Sequence, residues 1–463
     1  MKSFGSVVAA AMLFVCTVVV CLVLVMDRDT VEYGFNSVMK SYAASSRPLE
    51  PLVEVGSREQ LERRDANMTE VGSRGVWPYF GADLPPNRPK LRTCADPVKH
   101  FVFIKTHKTG STTVCALLYR FGVSNGLNFV LPRVPVNVGW PSYLRTGDYI
   151  PLKEGIKNFD VLADHTVYHR RIIDNLMPAD SAYITQLRHP LHHVKSVFNW
   201  YNVPRQLNMD TRGKNPLEEF LKDPLRYELL QKLMSRDKND KHHPYSFTRN
   251  FMSFDLGFPP GLAEDMEAAQ AYVERLDREF DLVLILEYLD ESLVLLKRTL
   301  CWTVLDIVYN IFNESPGYRF NIELTPEMDV NYREWSKVDY LLYEHFNTSL
   351  WNRVSELGDD FLQEVAHFVT VKNQVKAFCE DGKKDQLVIP ASKWDNDFSV
   401  DQKFCRLFKT TRMSFYKYLA PRQVDKELLN NYTSKAGAPG KGDKKKQRKE
   451  QKQKSGKMRN IFG

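Results

Sequence analysis

The chain has 463 residues, 43% of them hydrophobic and 12% aromatic, so it can build a large folded core and does not read as a disordered chain. Its net charge of +7 would suggest nucleic acid as a partner, but Lys435 to Arg459 holds eleven Lys or Arg against Asp443 and Glu450, a local +9. The rest of the chain is therefore about −2, which leaves no general basic field to argue for nucleic acid. The 435–463 tail reads as a solvated, disordered segment, with docking to acidic lipid or glycan as the sharper alternative.

Residues 1–3 are a short tip before an uncharged run of 23 residues, Phe4 to Met26. As a helix this run spans roughly 34 Å, enough to cross a bilayer, and it lacks a small-residue cleavage site. It is expected to be an uncleaved signal anchor. Lys2 before it and Asp27-Arg28-Asp29 after it place the N-terminus in the cytosol and the remainder in the lumen. Asn67, Asn313, Asn347 and Asn431 are glycosylation acceptors by triplet, which alone proves nothing. Five cysteines follow the span. Cys115 lies in an apolar helical run and is expected to be a buried free thiol, leaving Cys94, Cys301, Cys379 and Cys405 with three possible pairings.

Residues 27–93 carry scattered charge, Pro85-Pro86 and Pro89 without apolar periodicity, and read as a stem. A luminal domain is expected over 94–434. Four short apolar runs, Phe101–Ile104, Phe159–Ala163, Ala182–Leu187 and Phe280–Leu286, alternate with helical stretches at Thr112–Phe121, up to Tyr201, and Asp290–Leu300. That alternation predicts an α/β domain with a central, mainly parallel sheet flanked by helices. Beyond Met328 the pattern is mostly helical, notably Ser349–Phe378.

Two constellations carry chemistry. The first is Lys105-Thr106-His107-Lys108-Thr109-Gly110-Ser111-Thr112-Thr113, between a strand and a helix. Amides at a helix start, hydroxyls, a glycine and Lys108 suit an anion. The loop lacks the Walker A ending, which argues against an ATPase, a GTPase or a nucleotide kinase. The second is Leu187-Arg188-His189-Pro190 at the end of the third strand, with Ser196 eight residues after Arg188. Strand ends line the crevice of a parallel sheet, so Arg188 can meet a phosphate above the first loop.

Together these motifs resemble the donor site of Golgi carbohydrate sulfotransferases. The closer resemblance is to the galactosylceramide and galactose-3-O-sulfotransferase family. It is carried by Phe103–Thr113, Leu118–Gly122, Arg249–Gly257, Leu284–Lys297 with Leu300-Cys301-Trp302, and Tyr343–Asn347, within about residues 98 to 380. The resemblance implies a P-loop-NTPase-like sulfotransferase fold with a helical C-terminal part. It implies 3′-phosphoadenosine-5′-phosphosulfate as donor, with Lys105 and Lys108, Thr109, Gly110, Ser111, Thr112 and Thr113 on the 5′-phosphosulfate and Arg188 with Ser196 on the 3′-phosphate. It also implies the 3-hydroxyl of a β-galactose as acceptor, on a glycolipid or a glycoprotein glycan.

Sulfonate transfer needs a base for the hydroxyl proton and a cation over the bridging oxygen. Lys108 suits the second role. His165, at the end of the second strand, is the expected base and His169 the second choice. Asp164 and Val167 stand where relatives are expected to carry Asn and Arg, which bears on acceptor choice. The adjacent pairs His192-His193 and His242-His243 lack metal-ligand spacing, and the transfer requires no metal. Glu287, Asp290 and Glu291 read as charges at a helix start. A glycan-binding protein without transfer activity is the rival from another class; Lys108 and His165 argue against it.

Overall fold

β1 (Phe101–Ile104) is four apolar residues buried on both faces, as expected of a strand covered by helices on each side. Burying such side chains contributes roughly 1.5–3 kcal/mol each. The loop after it leads into α1 (Ser111–Ser124), whose buried face includes Val114, Cys115, Leu117, Leu118 and Phe121. β2 (Val161–Leu162) is short and is followed by α2 (Arg170–Asp174), then β3 (Ala182–Leu187) and α3 (Pro190–Trp200), which starts on a proline. α4 (Phe251–Asp255), α5 (Met266–Glu279), β4 (Leu282–Ile285) and α6 (Leu289–Leu300) complete the sheet layer. α7 (Lys337–Asp381) is long and kinked at Gly358, where φ is 65° and ψ −159°.

These elements come from a computed structural model that describes residues 94, 96–133, 137–209, 212–228, 245–312 and 317–429. All lie within one unit, Ala82–Gly463. The expected anchor (4–26), stem (27–93) and basic tail (435–463) lie outside the described residues, as do Asn67, Asn313, Asn431 and His242-His243. Among the described residues no helix is long and apolar enough to cross a membrane. Asn347 is half-buried inside α7.

The sheet is parallel throughout, in the order β2-β1-β3-β4. After β1 the chain moves to one side to form β2 and returns to the other side to form β3. The carboxyl ends of β1 and β3 therefore flank a topological switch point, where open α/β sheets form their ligand crevice. Both anion-binding motifs leave the sheet there. Leu191, Val194, Val197 and Phe198 of α3 pack with Phe251, Phe254, Tyr332 and Tyr340 and fix α3 over this edge.

Two features depart from the expected pattern. A short antiparallel hairpin, β5 (Gln386–Ile389) with β6 (Phe398–Asp401), interrupts the helical C-terminal part. It is followed by α8 (Gln402–Phe408) and α9 (Arg412–Gln423). The four cysteines pair as Cys94–Cys301 and Cys379–Cys405, and Cys115 is a buried free thiol as expected. Its Sγ donates to Ala163 O at 3.0 Å, and burial pushes it up to about 12.

Candidate active site

The loop between β1 and α1 is held by its own hydroxyls. Thr106 Oγ1 donates to Gln186 O on β3, and Ser111 Oγ donates to Thr106 O at 2.6 Å. Thr109 Oγ1 lies 2.8 Å from Thr106 Oγ1, and Thr113 Oγ1 accepts from Phe312 N at 3.2 Å. These contacts shape the turn and use up most of the hydroxyl capacity that the sequence offered to a ligand. Lys108 (φ 58°) and Gly110 (φ 77°) both adopt left-handed backbone. At Gly110 a Cβ would lie 2.6 Å from Leu286 Cδ1, so any other residue would sit in strained left-handed backbone and have to displace that side chain. The amides of Ser111 and Thr112 open α1 and lack intrahelical acceptors, which leaves them to an anion.

Three cations surround this helix start. Lys105 is buried, with Nζ 3.0 Å from His165 Nε2 and 3.3 Å from Ser111 Oγ. Lys108 rests its Nζ 3.8 Å from the ring centroid of Trp200, an indole that is 63% exposed. Burial, with Lys105 and Arg188 nearby, holds the Lys108 ammonium down to about 8. Arg188 donates to Lys108 O at 3.2 Å and, among the described residues, its buried Nε has no acceptor. Among the described residues none of the three forms an ion pair with a carboxylate. Unpaired charge at this depth is costly, and an anionic ligand would relieve it.

Arg188 and Ser196 do converge, with Tyr318 between them. Burial pushes the Tyr318 hydroxyl up, but Arg188, Ser196 and Lys195 around it bring it below the usual phenol range. A phenol so stabilised marks a second place for negative charge. The residues thus fit a donor with two anionic ends, one above α1 and one beside α3.

The expected base, His165, lies against the loop with both nitrogens engaged. Nδ1 donates to Lys105 O at 2.7 Å, which leaves Nε2 to accept from Lys105 Nζ. Burial, then His107 and Lys105, push it well below the usual imidazole range. Its ring stacks on His107 at 3.8 Å between centroids and 14° between planes. His169, the second choice, caps α2: its Nδ1 accepts from Ile172 N at 3.4 Å.

Asp164, just before His165, is fully buried and paired with Arg412 of α9; it also accepts from Tyr119 OH at 3.0 Å. Glu287 fastens the second motif: it accepts from His189 N at 3.0 Å and from Tyr343 OH at 3.4 Å. Asp290 pairs with Lys372. Glu287 and Asp290 therefore serve the architecture, in keeping with their expected place at a helix start.

A family model described as Galactose-3-O-sulfotransferase matches residues 67–395, about seven tenths of the sequence. The chain belongs to the galactose-3-O-sulfotransferase family. It is 32% identical over 290 residues to human galactosylceramide sulfotransferase, which covers 62% of this chain and 65% of that protein, just under two thirds of its length. Human galactose-3-O-sulfotransferase 2 is 34% identical over 291 residues, 62% of this chain and 69% of that protein. Mouse galactose-3-O-sulfotransferase 3 is 31% identical over 293 residues, 62% and 64%.

In this galactose-3-O-sulfotransferase family member the sequence motifs located Lys105, Lys108, Arg188, Ser196 and His165 at one crevice. They gave no role to His107 or Asp255, although these stand inside the first motif and the Arg249–Gly257 block, and did not point to Tyr318 or Arg412. Arg412 lies beyond the family-matched segment, yet it reaches the residue next to His165.

Proposed function

We propose that this chain transfers a sulfonate from 3′-phosphoadenosine-5′-phosphosulfate to the 3-hydroxyl of a β-galactose, on galactosylceramide or a related glycolipid. The observation that carries the reading is the set of three cations, Lys105, Lys108 and Arg188, gathered at the start of α1 without carboxylate partners among the described residues. Lys108, Gly110, Ser111, Thr112 and Thr113 form the cradle for the 5′-phosphosulfate, with Lys105 and Thr109 holding its shape. Arg188 and Ser196 take the 3′-phosphate.

Charge grows on the bridging oxygen as the S–O bond breaks, and a lysine ammonium beside it stabilises that charge. Lys108 is placed for this role because, among the described residues, its ammonium rests only on the exposed ring of Trp200, which it can leave. The acceptor proton passes to the stacked imidazole pair of His107, in the loop after β1, and His165, after β2, which is the residue the sequence assigned as base.

The reading places the domain in the Golgi lumen behind a single type II anchor. Two disulfides support an oxidising compartment, and the apolar run at 4–26 supports the anchor. The deciding experiment incubates the full chain with radiolabelled donor and a panel of β-galactosides and galactolipids. Label on the 3-hydroxyl of galactosylceramide supports the proposal; label only on terminal galactose of glycoprotein glycans redirects it to that acceptor. Glycan binding without transfer, or ATP turnover without transfer, would overturn it.

A further inference from the structure

We infer that Asp339, at the start of α7, is a positioning residue for the transfer: it holds the short helix α4 so that Asp255 keeps its grip on the His107 ring. The inference rests on the sulfotransferase reading and deepens it, since Asp339 lies outside every motif that marked the site.

α4 is five residues long, too short to be stable by itself. Its first amides need acceptors, and the side chain of its leading residue, Asn250, offers them none. Asp339 supplies the acceptors from α7. Its Oδ2 accepts from Met252 N at 3.2 Å, and its Oδ1 accepts from Ser253 N at 2.8 Å and Ser253 Oγ at 2.5 Å. α7 likewise begins without a side-chain cap from its own leading residue. Asn250 Oδ1 accepts from Val338 N at 3.1 Å and Asp339 N at 3.2 Å, and Ser336 Oγ accepts from Asn250 N at 2.9 Å. The two helix starts thus cap each other.

Of the residues in this exchange only Asp339 is charged, so its hydrogen bonds are the strong ones. It is buried. Burial pushes its carboxyl up to about 6 against the pull of Ser253 and the two amides, so it is ionised at pH 7.5.

The other end of α4 is Asp255, which is fully buried. Its Oδ2 accepts from His107 N at 2.7 Å, its Oδ1 accepts from Trp140 Nε1 at 2.9 Å, and both oxygens lie 2.9 Å from His107 Nδ1. Asp255 therefore fixes the loop backbone and the imidazole together, and that ring stacks on His165 at 3.8 Å. Tyr168 N donates to Asp255 O at 2.9 Å, which pins the exit of α4 to the chain after β2. The entry of α4 is pinned by Asp339. If that end lifts, the helix tilts about its exit and carries the Asp255 carboxylate off the ring. A misplacement of about 1 Å in such a support can cost about 100-fold in rate.

The test compares the full chain with D339N, S253A, D255N and the D339N/D255N double variant at pH 7.5. It measures kcat and KM for sulfonate transfer to a β-galactoside, binding of 3′,5′-adenosine bisphosphate by calorimetry, and denaturant unfolding. Asn at 339 keeps the shape and one acceptor oxygen but loses the charge. D339N is expected to lower kcat by about 10- to 100-fold, with nucleotide affinity and donor KM within about threefold of wild type. In the D255N background the same substitution should change kcat by no more than about twofold, because its route to the ring is already cut.

A role in the fold alone would lower the unfolding midpoint in both backgrounds and leave kcat per nucleotide-binding site unchanged. A D339N kcat within about threefold of wild type, counted per nucleotide-binding site, would therefore overturn the inference. So would an equal loss of kcat in the two backgrounds. If D339N does not fold, S253A decides: loss of one of the three donors should lower kcat by about fivefold, and a kcat within about twofold of wild type overturns the inference. No transfer by the unaltered chain to any β-galactoside would instead sink the functional reading beneath it.

Discussion

Arg412→Ala should destabilise the domain by about 3–5 kcal/mol near neutral pH, the range for breaking a buried ion pair from one side. The structure sets this magnitude. Asp164 is fully buried and Arg412 only 5% exposed. Among the described residues one Asp164 oxygen, Oδ1, already lacks a partner, while Oδ2 is shared by Arg412 and Tyr119. Without the guanidinium, a single phenol would hold a carboxylate with no access to water. The loss has a pH signature. Burial already pushes the Asp164 carboxyl up, and without Arg412 nothing strong opposes that push. The variant then favours a protonated Asp164, so its deficit is smallest in acid. It grows as pH rises from the value of this carboxyl in the wild-type fold toward its higher value in the variant, by up to about 1.4 kcal/mol per unit. Denaturant unfolding of the full chain at pH 5.5 and 7.5 measures both numbers. Asp164→Asn with Arg412→Met removes both charges and should recover most of the loss. A deficit below about 1 kcal/mol, or one equal at the two pH values, would refute the reasoning.

Lys108→Ala should reduce turnover by about 100-fold or more, on the scale of one lost transition-state charge stabiliser, and near-normal turnover would remove it from the mechanism. Because the ammonium is the active form and is held down to about 8, kcat/KM should fall as pH rises through that value; in Lys108→Arg this limb should move out of range. Arg188→Ala should weaken 3′,5′-adenosine bisphosphate by roughly 10- to 150-fold, the range for a hydrogen bond to a charged group, as read by calorimetry. Replacing Cys94 and Cys301 by Ser opens a link across 207 residues and should cost about 2–5 kcal/mol in denaturant unfolding.

The sheet was legible because a buried parallel strand is a continuous apolar run, and Phe101–Ile104 and Ala182–Leu187 are two clear ones. The anion loop was legible because its chemistry is local: amides, hydroxyls, Gly110 and Lys108 within nine residues. The hairpin was not. Each strand has four residues, Val388 is 64% exposed, and helices flank it on both sides. The roles of Asp255, which stands inside the Arg249–Gly257 block, and of Arg412, outside every block, were hidden, since they meet the site from 148 and 248 positions away and no spacing rule joins them to it. His165 shows the limit most sharply. The motif finds the strand end correctly, but only coordinates show that Lys105 occupies its free nitrogen.

The Cys94–Cys301 bridge has a mechanical consequence. Cys94 stands seven positions before β1, and between them Val98 donates to Leu300 O at 2.8 Å and accepts from Trp302 Nε1 at 2.9 Å. Tension arriving along the polypeptide ahead of Cys94 passes into Cys301, at the end of α6, through a covalent bond. It never pulls on β1 directly. The strand that carries the anion loop is thus spared the load of whatever tether precedes it, and reduction of that one bond would transfer the strain to two hydrogen bonds and then to the sheet.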